Sequence, residues 1–598
     1  MTRLRWRRHR ITTLPAEELA DLVRNLAPVS AFARSVQGEA IEDDGIELPE
    51  LPDSPVGKAT ALLRVAAQIE HALMVQYLYA GASLTRPAHA LRVTGVAVEE
   101  MSHLMTVQNL LRLIGAPPHL QRQDDGHPVD EDEQLFPFDF RLEPVSNVSL
   151  AKYVIAESPA VAPDGVDPSV LVRMHSLVTG ARSDPINRVG TLYALLSAVF
   201  GTPEMLHQLA TPGPGVSADQ VLWYSMIESV AAEAALRYGG AESVHLPDDA
   251  FAVPDSEAQS TDKDWDRAKI SVIGVRVHAV TSRLEALEAL RDIGVQGEGP
   301  TPVPGETSHF KRFYDQFTAL FGADGLGTVP PAGTVRPLPA GARIVLDPGG
   351  VDRDGAITHP ATAQWARLAD LRYALLLGSL ERFLQAPADD RAYLRGWCFA
   401  EMYALHELAE LLGGMPAGTG VSPAVAAPPF TPPAWPGDGA RWPDLAAAFQ
   451  ESRTIAGDLL PGVPEDPDEP ENGHRLLVHL LASDERKLAE AQARANGTTQ
   501  RTRTDAVRDA LDWAAGAGDP KSGHADQGRF WNLQHAEFVE VTIGTKVVQR
   551  PGPGEDAPMV ERLRSGSMPR LRPRLDPTGP EFLLIEKWVA DGCPDDPA

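Results

Sequence analysis

The chain has 598 residues, too many for one hydrophobic core, so two or three domains are expected. An apolar content of 43% with 23% charged residues is that of a folded protein and excludes wholesale disorder. A net charge of −28 repels phosphate backbones and anionic lipid, so neither nucleic acid nor a membrane is an expected partner.

In chain order, Arg3, Arg5, Arg7, Arg8 and Arg10 form a basic tip around Trp6, read as a solvated arm. No apolar stretch follows in Ile11–Glu18, so the tip does not read as a secretory signal. A short helix is expected over Ala16–Leu26, then an acidic loop with Glu42, Asp43 and Asp44. From Gly57 the pattern turns strongly helical: Ala59, Leu62, Leu63, Ala66, Ile69 and Leu73 recur at three-and-four spacing. Thr85-Arg-Pro87 breaks it, and a second helix runs from about Ala88 to Ile114, stopping at Gly115-Ala-Pro-Pro118. Beyond the Pro- and acid-rich stretch 123–137, helices are expected at 168–180, 187–200 and 217–238. A strand is expected over Ile270–Val280, with helices over Leu284–Ile293 and Ser308–Phe321. The Gly/Pro/Ala/Thr stretch 322–341 reads as a domain boundary. A second helical hairpin is expected over 362–414, a Pro/Ala/Gly loop over 416–443, helices at 474–494 and 503–515, and a final helix at 582–588.

Glu-x-x-His sets a carboxylate and an imidazole one helical turn apart on one face, within reach of a single metal ion. The pattern recurs at Glu100/His103, Glu204/His207, Glu242/His245, Glu306/His309 and Glu471/His474, so spacing alone selects none of them. Context favours the first, because Val93, Val96, Val98, Met101 and Leu104 surround it and an unpaired charge there is costly. Glu70, in the preceding apolar helix, is as far from Thr85 as Glu100 is. In an antiparallel hairpin both acids stand about 20 Å from the turn at ~1.5 Å rise per residue, hence at one height. Glu70, Glu100 and His103 thus form half of a di-iron carboxylate site. The competing reading pairs the two acids with Arg64, Arg92 or Arg112 and leaves His103 a core histidine. Glu99 is expected to point away into solvent.

The stretches Gln68-Ile-Glu-His-Ala-Leu-Met-Val-Gln-Tyr-Leu-Tyr79 and Glu99-Glu-Met-Ser-His-Leu-Met-Thr-Val-Gln-Asn-Leu110 resemble the ferritin-like domain of the iminophenylpyruvate dimer synthase and chromopyrrolate synthase group. The resemblance continues through Gln296-Gly-Glu-Gly299, Ser308-His-Phe310 and Arg312-Phe313. It reaches Leu371–Leu411 and Ala427-Pro-Pro-Phe430 more weakly, spanning roughly residues 57–435. It implies iron and oxidative chemistry on amino-acid-derived imines in secondary metabolism, with Glu70, Glu100, His103, Glu298 and His309 as metal ligands; Glu306 is a further candidate through its Glu-x-x-His spacing to His309. Where that group has Gly-Glu-Phe-Tyr, this chain has Gly190-Thr-Leu-Tyr193, so Thr191 stands at an expected carboxylate. The site then holds one iron, or two with a position open to oxygen or substrate. Glu298, between Gly297 and Gly299, also reads as a surface-turn residue.

The expected fold is mainly α. Residues 1–55 form an N-terminal extension, 56–325 a ferritin-like four-helix bundle that binds metal, 340–515 a second helical domain, and 525–598 a small helical module. The module, with Gly566-Ser-Met-Pro569 and Leu583–Pro594, is similar to a cytochrome c domain without its haem-attachment cysteines. Met568 is then either an axial ligand or a buried methionine of a packing module. The two cysteines, Cys398 and Cys593, leave no disulfide scaffold, no Cys-based metal site and no Cys-x-x-Cys-His, so haem is not expected. His406 reads as a helix-face or core histidine. No apolar run spans a bilayer, and a cytoplasmic address is expected.

The function expected is a non-haem iron oxidase or oxygenase with one or two ions, taking O2 and a small amino-acid-derived metabolite. Tyr77 and Gln76 are its candidate catalytic side chains beside Glu70, and a homodimer is the assembly considered. A non-catalytic metal-binding or scaffold protein is the alternative, favoured by Thr191.

Overall fold

A computed structural model describes residues 51–596 apart from 123–140, 159–165, 167, 180–188, 214–217, 252–258, 266–274, 299–306, 323–328, 346–354, 420–423, 436–438, 464–472, 500, 516–529, 544, 549–556, 566, 568–574 and 576. It divides into two units, Met1–Trp265 with Val275–Arg336, and Asp266–Gly274 with Pro337–Ala598. The helix expected over Ala16–Leu26, and the residues Glu306 and Met568, lie outside the described residues.

In the first unit, helix α1 (Pro55–Ala82) begins where the Ser54 hydroxyl accepts from the Gly57 amide and Pro55 supplies a pre-set φ. Helix α2 (Pro87–Leu113) also opens on a proline and stops before Gly115, whose φ of +71° suits glycine. The reversal between them is pinned from outside: the Thr85 amide donates to the Thr334 carbonyl, and Leu84 bridges to Val335. At Gly81 the helices come close enough that a Cβ would sit 2.4 Å from Thr94 Cγ2.

Helix α3 (Asn147–Ala156) opens on a reciprocal Ser146/Ser149 capping box. Helices α4 (Pro168–Thr179), α5 (Val189–Phe200), α6 (Pro203–Ala210), α7 (Ala218–Tyr238), α8 (Arg283–Glu298) and α9 (His309–Phe321) follow. The helices α1, α2, α8 and α5 pack in that cyclic order as a four-helix bundle, while α9 lies on α3 and reaches α2 and α8. Leu63, Leu73, Val96, Leu104, Leu192, Leu196, Leu287 and Leu290 are buried in this bundle. Each contributes about 1.5–3 kcal/mol by leaving water.

Three expectations need correction here. Helices α3 and α6 arise where none was expected, and α8 runs past Ile293 to Glu298, so Glu298 ends a helix rather than occupying a turn. Residues 275–280 bury Val275, Val277 and Val280 but form no strand. Their backbone partners are side chains: the His278 amide donates to Thr106 Oγ1 and the Val280 amide to Gln259 Oε1.

In the second unit, two-residue strands β1 (Arg343–Ile344) and β2 (Ala356–Ile357) pair in parallel. Helices α10 (Pro360–Gln385) and α11 (Ala388–Leu412) pack together, as do α12 (Trp442–Leu459) and α13 (His474–Ala495), and α10 also packs on α12. Helix α12 falls where only a loop and a gap were expected. Inside, Arg372 of α10 bonds Asp484 of α13 at 2.7 and 2.8 Å and Glu401 of α11 at 3.1 Å. Lys487 donates to Glu401 at 2.7 Å, and Ser452 of α12 donates to Asp484 at 2.7 Å.

Helix α14 (Arg503–Ala515) packs on α11 and on α17 (Pro580–Ala590). Helix α15 (His535–Glu540), α16 (Pro558–Ser565) and α17 share an apolar cluster with Val507 and Leu511 of α14, and Val541 and Val548, which flank the hairpin β3 (Thr542–Ile543) and β4 (Thr545–Lys546), join it. The tail core therefore includes residues of α14. Among the described residues the fold is mainly helical, with few strands, and no helix is long and apolar enough to cross a membrane.

Candidate metal centre

Glu70 projects from the middle of α1, and Glu100 and His103 from α2 one turn apart, all three buried. His103 Nδ1 lies 2.9 Å from Glu100 Oε2 and 3.3 Å from Glu70 Oε2. On the other side stands His309, the first residue of α9, whose Nδ1 is 3.1 Å from Glu100 Oε1 and 3.7 Å from Glu157 Oε2. Glu157 caps the C-terminus of α3, held there by backbone bonds to Tyr153 and Ile155. Two triads result, Glu70/Glu100/His103 and Glu100/Glu157/His309. In each, one ligand-type atom per residue lies within 4.8 Å of the others. That spread is close to the roughly 4.4 Å between donors on opposite sides of an ion with bonds of about 2.2 Å. Glu100 belongs to both triads, with one oxygen toward each histidine.

Around these groups stands a ring of oriented partners. The Tyr193 hydroxyl, from α5, donates to Glu70 Oε1, and the Tyr77 hydroxyl donates to Glu157 Oε1 at 2.7 Å. His309 Nε2 lies 2.7 Å from Glu99 Oε2, and Arg312 Nη2 donates to Glu99 Oε1 at 2.8 Å. His103 Nε2 lies 3.0 Å from Gln296 Oε1. A carboxylate and an amide oxygen only accept, so both imidazoles donate from Nε2 and turn Nδ1 to the carboxylates. A histidine that donates its outer N–H to an acceptor is the usual arrangement at a metal. A small pocket lies among Glu70, Glu100, His103, Glu157 and His309, bounded on the α5 and α8 side by Val189, Gly190, Ile293 and Gly294.

The electrostatics follow from burying so many acids together. Burial and the neighbouring Glu100 charge push Glu70 up to about 7. Burial alone would lower His103, but bonds to Glu100 and Glu70 lift it to about 10. His309 is likewise held well above its usual value, against burial, by Glu100, Glu157 and Glu99. Burial would raise Glu100, yet the charge of His309 and the bond to His103 hold it well below the usual carboxylate range. Burial and the adjacent carboxylates raise Tyr77 and Tyr193 far above 10, so both phenols keep their protons and remain donors.

Despite this crowding, Glu70 Oε2, Glu100 Oε1 and His309 Nδ1 have no well-formed hydrogen bond. An unsatisfied buried polar atom costs about 1–3 kcal/mol, and here three ligand-type atoms face one interior. The residues therefore fit metal ions: carboxylate oxygens and imidazole nitrogens are the donor set of non-haem iron.

Residues 63–221 match the family model described as ferritin-like. This stretch is a ferritin-like domain. The match spans Glu70, Glu100, His103, Glu157 and Tyr193, whereas His309 comes from beyond its end. No curated protein and no solved structure matches the chain.

Of the residues singled out in the sequence, the ferritin-like domain brings Glu70, Glu100 and His103 together, and His309 joins them from α9. Glu298 is the last residue of α8. The expected catalytic pair is divided: Tyr77 bonds Glu157, but the Gln76 amide donates to the Arg141 carbonyl at 3.2 Å, a backbone contact rather than a ligand. Glu99 does not point into solvent. It is 1% exposed, because its face of α2 meets His309 and Arg312 of α9. Three further Glu-x-x-His histidines do other things: His207 pairs with Glu228 at the surface, His245 bonds the Ala198 carbonyl and His474 the Val463 carbonyl. His406 is an exposed helix-face residue. Glu157, Glu99, Tyr193 and Gln296 were missed. For Glu157 a signal existed, an acid directly after the apolar run Tyr153-Val-Ile-Ala156.

Proposed function

We propose that the two triads sharing Glu100 would hold non-haem iron, and that the chain is an oxygen-dependent oxidoreductase. Its substrate is a small amino-acid-derived metabolite of secondary metabolism, as in the iminophenylpyruvate dimer synthase and chromopyrrolate synthase group that the motifs resemble. The observation that carries this reading is the pair of buried triads sharing one carboxylate, with orphaned atoms facing inward. Glu70, Glu100 and His103 hold one ion, and Glu100, Glu157 and His309 the other. Ferrous iron in this setting supplies the electrons for reducing dioxygen while a substrate is oxidised. The chain's own groups do the rest. Tyr193 and Tyr77 fix the outer carboxylates by donating protons they do not release, Gln296 and Glu99 fix the imidazole rings, and the apolar lining Leu73, Val189 and Ile293 limits access of water. Partners on this reading are O2 and the metabolite, with no nucleic acid or membrane, in a cytoplasmic protein able to form a homodimer.

A second reading, a metal-binding or scaffold protein without catalysis, draws support from α5 and α8. In a symmetric site these helices carry ligands, but among the described residues neither contributes to the triads. Anaerobic loading of the full chain with ferrous iron, followed by admission of oxygen, separates the readings. Two irons per chain and rapid oxygen uptake are expected. Iron bound without uptake favours the scaffold, and no bound iron ends both.

A further inference from the structure

Among the described residues, the two metal positions have closely matched inner shells. Each has Glu100 as shared carboxylate, one further glutamate, one histidine presenting Nδ1, and one tyrosine donating to the unshared glutamate. The difference lies one layer out. His103 gives its Nε2 proton to a neutral amide, Gln296 Oε1 at 3.0 Å, whereas His309 gives its proton to a carboxylate, Glu99 Oε2 at 2.7 Å. The other Glu99 oxygen is tied to Arg312, which locks the carboxylate in place, and both Glu99 and Arg312 are buried. An imidazole whose N–H is bonded to an anion is the more basic ligand at its other nitrogen. The anion also adds negative charge near the cation, only part of which Arg312 offsets.

We infer that Glu99 and Gln296 are positioning residues that make the two sites unequal, the Glu157–His309 position binding a divalent first-row cation more tightly and filling first. One helix, α2, would thus carry the bridging ligand, a terminal ligand for one ion, and the outer acceptor that strengthens the other. This inference rests on the metal reading, and its test separates the two.

The full-length metal-free protein is titrated anaerobically with Co2+ alone, following heat and the visible ligand-field bands. Wild type is expected to bind in two resolvable steps. Glu99→Gln, which keeps the shape and loses the charge, should weaken the first step by about 10–100-fold and leave the second in place. Gln296→Glu should move the second step the other way, toward tighter binding. Each step should keep its own spectrum, so the weakened step in Glu99→Gln is recognised by its bands. Two indistinguishable steps in wild type, or equal weakening of both in Glu99→Gln, overturns the inequality while the metal reading stands. No binding by wild type overturns both. Should Glu99→Gln fail to fold by circular dichroism, Gln296→Glu decides, and an unchanged second step overturns the inference.

Discussion

Each unit buries a polar cluster among several helices, and the two clusters balance their charge in different ways. In the second unit Arg372 and Lys487 meet Glu401 and Asp484, so the protein provides cation and anion alike. In the first unit three glutamates face two histidines, and Arg312 is committed to Glu99 outside the triads. Imidazoles are cationic only while they hold protons, so this second kind of balance can be handed over to a metal. An arginine cluster cannot make that exchange, because guanidinium keeps its charge at any ordinary pH. A buried carboxylate is thus a metal-site candidate to the extent that its partners can let their protons go.

The sharpest way to break this comparison is to remove one shared group from each cluster. Glu100→Ala should drop metal content to near zero by elemental analysis, because both triads lose a member. Arg372→Met should leave metal content unchanged and cost about 3–5 kcal/mol in urea unfolding, since it strands buried carboxylates. Metal loss in Arg372→Met would show that the clusters are not independent.

The metal-centre cluster should also lose stability as pH rises. His103 has a raised pKa, so its contribution to stability is complete below about 6.5 and is lost as pH rises through about 10. Glu70, raised to about 7, adds a loss of the same sign, beginning above the ordinary carboxyl value. Glu401 is depressed because Arg372 and Lys487 outweigh its burial, so its contribution is lost on acidification instead. The melting temperature of metal-free protein should fall between pH 6 and 10 (~), and iron or Co2+ should suppress that fall. A flat alkaline profile without metal would contradict the proton-for-metal exchange.

Smaller effects sharpen the picture of the ligand supports. Tyr193→Phe and Tyr77→Phe each remove a donor to one ligand carboxylate, and each should weaken one metal step by about tenfold, read by titration. Ser146→Ala removes the capping box of α3, whose far end carries Glu157, and should cost about 1 kcal/mol in thermal unfolding.

How much of this was legible in the sequence depended on how local the cause was. The meeting of Glu70, Glu100 and His103 follows from helical periodicity and one turn, both written in contiguous residues. His309 came only through a resemblance, and Glu157 not at all, because α3 is short and its partner α9 lies far along the chain. Glu99 was misread from its own helix alone: beside Glu100 it faces another direction, and what that direction meets is decided by α9 and Arg312. The same limit explains the missing strand at 275–280, where the apolar pattern could not reveal that side chains of Thr106 and Gln259 would take up the backbone bonds. In the second unit the hairpin α10–α11 was readable from its apolar spacing, whereas α12 was hidden behind a proline-rich loop.

Glu157 and His309 are neighbours in space but about 150 residues apart along the chain, a long loop whose closure is costly in entropy. An ion gripped by both would act as a removable cross-link, comparable in its effect on the unfolded chain to a disulfide of similar span, in a protein that has no pair of nearby thiols. Cleaving the backbone between them should therefore yield two fragments that stay associated while loaded and part when a chelator is added.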